Sequence, residues 1–113
     1  MLEKGIKGMQ EVLVTEDNTA KAMKSGTLDV FATPSMIALM EETAWKSVAP
    51  YLEEGAGTVG SYLDIHHNAP TPLGMTVICE SELIQIEGRK LTFKVTARDA
   101  SGIVGEGTHE RFI

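Results

Sequence analysis

The spacing of apolar positions changes period part-way along the chain. In the first half the clearest block is Thr33–Val48. Stepping about 100° per residue puts Ile37, Met40, Ala44 and Val48 on one stripe, the signature of an amphipathic helix. Thr33-Pro34 supplies its start, with threonine as the N-cap and proline at the first helical position, and Pro50 lies just past its end. Glu41 falls inside the apolar stripe, whereas Glu42 points about 100° away and reads as solvated. After Gly55-Ala56-Gly57 the period becomes two, the signature of strands. Val59, Leu63, Ile65 and His67 share one face there, and Asp64 and His66 the other. Asn68–Gly74 holds two prolines and reads as a loop.

Thr76–Ile86 is a mostly apolar strand, and Glu87-Gly88 is a turn. Lys90–Asp99 alternates, with Leu91, Phe93, Val95 and Ala97 inward and Lys90, Thr92, Lys94, Thr96 and Arg98 outward. Ser101-Gly102 turns the chain into a last strand, Ile103–Ile113. Upstream of the helix, Met9–Val14 reads as a first strand, and Asn18–Asp29 as either a short helix plus loop or a flap. Strands grouped after one helix predict an α+β fold of about five strands, an antiparallel sheet with the helix on one face.

Composition narrows the function classes. The 113 residues suffice for one domain, 1–113, and 42% hydrophobic with 23% charged residues is globular composition. Sixteen acidic against ten basic residues give a net charge of −6, which argues against nucleic acid as a partner. Arg89, Lys90, Lys94 and Arg98 read as a solvated sheet surface. Cys79 is the single cysteine, so no internal disulfide forms and a reducing compartment fits. No apolar run is long enough to span a membrane, and the first residues do not read as a secretory signal. A soluble, cytoplasmic protein is expected.

Some motifs dissolve on inspection. Gly55-x-Gly57-x-x-Gly60 has dinucleotide-fingerprint spacing, but it follows a helix and opens a strand, the reverse of what that motif requires. His66 and His67 are adjacent on a strand and face opposite ways, and His109 lies on another strand, so no metal site is expected. Three groups stand out instead. Thr33 opens a helix, whose N-terminus suits an anion or a developing oxyanion. Glu41 is a carboxylate on an apolar face, where desolvation either is satisfied structurally or tunes the group for chemistry. His67 ends a strand facing the same core. A hydroxyl, a carboxylate and an imidazole together are the parts of an acyl-transfer site.

The chain also carries Val30-Phe31-Ala32-Thr33-Pro34, Met36, Leu39-Met40-Glu41 and Ala49-Pro50-Tyr51-Leu52-Glu53. Further on come Thr58-Val59-Gly60, His67-Asn68-Ala69-Pro70-Thr71-Pro72-Leu73-Gly74, Glu87-Gly88-Arg89 and Gly105-Glu106-Gly107-Thr108-His109-Glu110-Arg111. In this order, from Val30 to Arg111, the blocks resemble the fluoroacetyl-CoA thioesterase-like family. The resemblance implies a hot-dog fold, a long central helix wrapped by a curved antiparallel sheet. It also implies a homodimer, with a tetramer as the alternative, and sites at the subunit interface. The implied activity is hydrolysis of acyl-CoA thioesters, with no cofactor beyond the coenzyme A of the substrate.

The family's catalytic threonine, glutamate and histidine fall on Thr33, Glu41 and His67. Its glycine whose N–H meets the acyl carbonyl falls on Gly60, and a supporting arginine falls on Arg111. The family's fluoroacetyl enzyme has a lid of phenylalanines before this region, whereas Ala22–Asp29 holds no aromatic residue. Selectivity for a fluorinated acyl group is therefore not among the expectations. Two other readings share the fold: an acyl-CoA-binding protein without turnover, and a dehydratase or hydratase, whose Asp/His hydration motif is not found here.

Overall fold

The computed structural model describes Met1–Ile113. Its elements run β1 (Lys7–Leu13), α1 (Thr33–Val48), a short 3-10 turn (Ala49–Tyr51), β2 (Val59–His67), β3 (Thr76–Glu87), β4 (Lys90–Asp99) and β5 (Gly102–Phe112). The five strands form one antiparallel sheet in the order β1-β3-β4-β5-β2, so β1 and β2 are its edges. The helix lies across β1, β3 and β4. This is the hot-dog arrangement implied by the resemblance. No helix is long and apolar enough to cross a membrane.

The core lies between helix and sheet. Met36, Leu39, Met40, Ala44 and Val48 supply the helical side, and Val77, Leu83, Leu91, Phe93, Val95 and Ala97 the sheet side. The four inward residues expected on β4 are all fully buried. The centre of the helix's buried face runs through Met36, Met40 and Thr43-Ala44, with Ile37 at its side. Glu41 therefore sits at the margin of the apolar face and not in its middle; its side chain is 37% exposed.

Three local expectations change. The helix cap is Ala32, in extended conformation, whose carbonyl accepts the Met36 N–H. Thr33 is already helical, and its side chain makes no capping bond. It bonds elsewhere, as described below. Residues 18–29 form turns and no helix, tied down by backbone bridges from Thr19 to Phe31 and from Val30 to Pro72. Strand β2 has a register shift between Gly60 and Tyr62. An extra residue in a strand inverts the alternation beyond it. Gly60, paired with Arg111, thus shares the helix-side face with Leu63, Ile65 and His67, and Val59, predicted on that face, is 66% exposed.

Candidate active site

Two polar clusters flank the helix. The first is at its N-terminus. The Phe31 N–H donates to the Thr71 carbonyl and the Ala32 N–H to that of Asn18, which fixes the chain's entry into the helix. Buried Thr71 is itself anchored by a 2.8 Å hydrogen bond to Asp99. At the far end of β2, the N–H groups of Asn68 and Ala69 both reach the Val104 carbonyl. These ties bring Thr33 Oγ1 to 2.7 Å from His67 Nδ1. The other ring nitrogen, Nε2, is buried and meets no hydrogen-bonding partner within the chain. Burial holds the His67 pKa below the usual 6.5, with the backbone at Ala69 acting the other way. A cavity of about 240 Å³ opens beside this pair, lined by Val30, Phe31 and Ala69 among others.

A neutral imidazole whose Nδ1 accepts the threonine proton carries its one N–H on Nε2. In the other tautomer Nε2 is a free base. Either way the buried nitrogen is a polar group without a partner, which is costly unless something else meets it.

The second cluster lies two turns along the helix. Glu41 Oε2 is 3.3 Å from Arg111 Nη1. The guanidinium is 6% exposed and held on its other sides: Nε donates to Thr58 Oγ1 at 2.7 Å and Nη2 to the Thr58 carbonyl at 3.0 Å. Nη1 also approaches His109 Nε2 at 3.1 Å. Burial lowers the Arg111 pKa from its ordinary value, and the Glu41 carboxylate opposes that shift. Gly60 completes the corner. A Cβ there would stand 2.6 Å from Glu41 Oε2, so only glycine leaves the carboxylate its place against the strand. A groove of about 600 Å³ runs from Glu41 and Arg111 past Ala38 and Trp45 to Phe31 and Met23.

Thr33, Glu41 and His67 do not meet as one group within a chain. Thr33 and His67 pair, and Glu41, Gly60 and Arg111 form the other cluster. Eight helical residues separate Thr33 from Glu41, about 12 Å along the axis. The sequence reading missed Thr58 and His109. A signal for the latter existed: His109 pairs with Phe93 and Arg111 with Leu91, both inward positions. From Gly105 on, the inner face of β5 therefore reads Gly105, Gly107, His109, Arg111, with no apolar side chain after the buried Val104.

Comparison with known proteins bears on this arrangement. The family model described as fluoroacetyl-CoA-specific thioesterase, FlK, matches residues 14–113. The chain belongs to the FlK family. The fluoroacetyl-CoA thioesterase of Streptantibioticus cattleyicolor is 45% identical over 85 residues, 75% of this chain and 61% of that protein. The chain thus spans somewhat under two thirds of that relative. A crystal structure of a phenylalanine-to-alanine mutant of FlK with fluoroacetate and CoA superposes with a TM-score of 0.92 at 35% identity, covering 98% of this chain and 94% of that one. A thioesterase superfamily member from Thermus thermophilus gives 0.90 at 30% identity, covering 99% and 83%. Within this FlK-family chain the segment 22–29 offers Met23, 46% exposed, to the groove and holds no aromatic residue, and the buried Phe31 is the aromatic side chain that lines it from just before the helix.

Proposed function

We propose that this chain is an acyl-CoA thioesterase that hydrolyses a small acyl-CoA to the free acid and CoA, working as a homodimer with sites at the subunit interface. The 2.7 Å Thr33–His67 hydrogen bond beside a cavity carries the reading, because it holds an imidazole on a threonine hydroxyl at the start of the helix. Membership of a thioesterase family supports it.

A second copy brings the two clusters together by simple geometry. Strand β2 is an edge, and its helix-side residue Leu63 is 40% exposed. Pairing β2 antiparallel with its own copy over its full length sets the Val59-Gly60 end beside His67 of the partner subunit. Isologous pairing of this kind is the commonest oligomer symmetry. The Glu41–Gly60–Arg111 corner of one chain then faces the Thr33–His67 pair of the other, twice per dimer.

In this site Glu41 acts as general base on a water, or as nucleophile through a transient anhydride. Attack on the thioester carbonyl carbon forms the new C–O bond and moves the carbonyl electrons onto oxygen. The Gly60 N–H stabilises that oxyanion, a contribution of about 3 kcal/mol for one well-aimed donor. Collapse breaks the C–S bond, CoA leaves as thiolate, and the proton taken from water returns to sulfur; on the anhydride route water then cleaves the acyl–Glu41 bond, releasing the acid and supplying that proton. His67, kept neutral by burial, orients the water or passes that proton, with Thr33 fixing its ring. Arg111 holds Glu41 in place. The only coenzyme involved is the CoA of the substrate, and a cytoplasmic setting suits the buried thiol of Cys79.

The test is thiol release from a panel of acyl-CoAs, acetyl and fluoroacetyl included, with wild type beside Glu41→Gln. We expect release by wild type and a loss of about 100-fold or more in kcat in the variant, within the usual range for removing a general base. Near-wild-type turnover by Glu41→Gln sinks the mechanism. No release from any member, with CoA thioesters still raising the melting temperature, identifies a binding protein instead.

A further inference from the structure

Within the half-site around Glu41, the structure assigns His109 a role that the Thr33–Glu41–His67 chemistry does not include. We infer that His109, as the neutral tautomer protonated on Nδ1, is a positioning residue that aims the Arg111 guanidinium at Glu41. The inference rests on the thioesterase reading only for its kinetic consequence.

The tautomer follows from donor and acceptor counting. A guanidinium carries N–H donors on every nitrogen and no acceptor. Arg111 Nη1 lies 3.1 Å from His109 Nε2, so Nε2 must offer its lone pair. The proton is then on Nδ1, which stands 2.9 Å from the Tyr62 carbonyl and donates to it. Both ring nitrogens are satisfied, each by a partner that accepts only this arrangement. The ring is fully buried and lies over Phe93, with centroids 6.2 Å apart and planes at 29°. It has no freedom to turn.

Seen from Arg111, the fork is held at three points. Thr58 takes Nε and Nη2, and His109 takes Nη1. Glu41 receives the remaining reach of Nη1 at 3.3 Å. Without the imidazole acceptor Nη1 is restrained on one side only, by a carboxylate that is itself more than one-third exposed. The carboxylate and the guanidinium would then shift together, and a misplacement of about 1 Å in a catalytic constellation can cost about 100-fold.

Two variants separate positioning from packing. His109→Leu fills much of the space but offers no acceptor. His109→Gln places an amide oxygen within reach of Arg111. We expect His109→Leu to remain folded and to lose about tenfold or more in kcat with KM nearly unchanged, and His109→Gln to recover most of the loss. Imidazole ¹⁵N shifts of the wild type should show His109 protonated on Nδ1 and bare on Nε2 near neutral pH. That spectrum reads the tautomer whether or not any thioester is cleaved, so an inactive wild type overturns the thioesterase reading alone. A proton on Nε2 overturns the role of His109. So does equal loss in the two folded variants, or full turnover in His109→Leu. If His109→Leu does not fold, the tautomer and the His109→Gln kinetics decide, with full loss of kcat in folded His109→Gln counting against it.

Discussion

Glu41 meets the sheet at Gly60, a strand residue with no side chain. A Cβ at Gly60 would collide with Oε2, which is the free end of a flexible side chain, so Gly60→Ala should fold and displace the carboxylate. We expect a stability loss of no more than about 1 kcal/mol but a fall in kcat of about 10- to 100-fold, checked by thermal melting beside thiol release. Unchanged kcat would show that Glu41 need not touch the strand. The histidines give a second test. Burial holds both His67 and His109 below 6.5, so between the folded and unfolded values the unfolded chain binds more protons. Their contribution to stability is complete above about pH 6.5 and is lost as pH falls through the folded-state values. Urea midpoints should therefore drop between pH 7.5 and pH 5, and drop less in His67→Gln. An equal drop in that variant would deny His67 its share. At this scale Glu41 was legible because a carboxylate beside an apolar stripe is conspicuous. Thr33 was read both as a cap and as a partner of His67, and only the second survives, because its hydroxyl is drawn to His67 across 34 residues while Ala32 takes the cap.

The helix was legible as an element, since Thr33-Pro34 and Pro50 punctuate a strong period. Strand β1 was read to start two residues late and end one late, because its inward positions are Gly8, Gln10 and Val12, with little apolar signal. Gly8 is small for a reason that only packing shows. A Cβ there would lie 2.8 Å from both Ser47 Cβ and the Thr43 carbonyl of the helix. The Thr43 carbonyl is backbone and cannot swing aside, in contrast with Glu41 opposite Gly60. Gly8→Ala should therefore push the helix from the sheet edge at a cost of about 1–3 kcal/mol, the usual penalty of overpacking. Calorimetry would check it, and a melting temperature within a degree of wild type would refute the contact. The bulge in β2 was equally invisible to alternation, because a single inserted residue leaves the pattern plausible on both sides. It moves Gly60 onto the inner face and so places the glycine opposite Glu41.

The strand order leaves β2 open along one edge, and the helix covers little of its inner face. The proposed dimer joins its two half-sites here. If the site spans the dimer, each active centre takes Glu41 from one chain and His67 from the other. Glu41→Gln and His67→Ala homodimers should then both be inactive. Mixed by unfolding and refolding together, half of the dimers should be heterodimers, and each of these holds one centre with both lesions and one with neither. About one quarter of wild-type turnover should return, the signature of a shared, two-fold interface. A site contained within one chain gives no recovery, since every chain carries a lesion. Leu63→Glu supplies the complementary result. A charge on the half-exposed inner face of β2 should yield a folded monomer by sedimentation, with the helix and sheet intact by circular dichroism and thiol release abolished. A Leu63→Glu monomer that still cleaves acyl-CoA would put the whole reaction in a single chain and overturn the shared site. Recovery in the mixture together with silence in the monomer leaves the sheet edge as the element that assembles the chemistry.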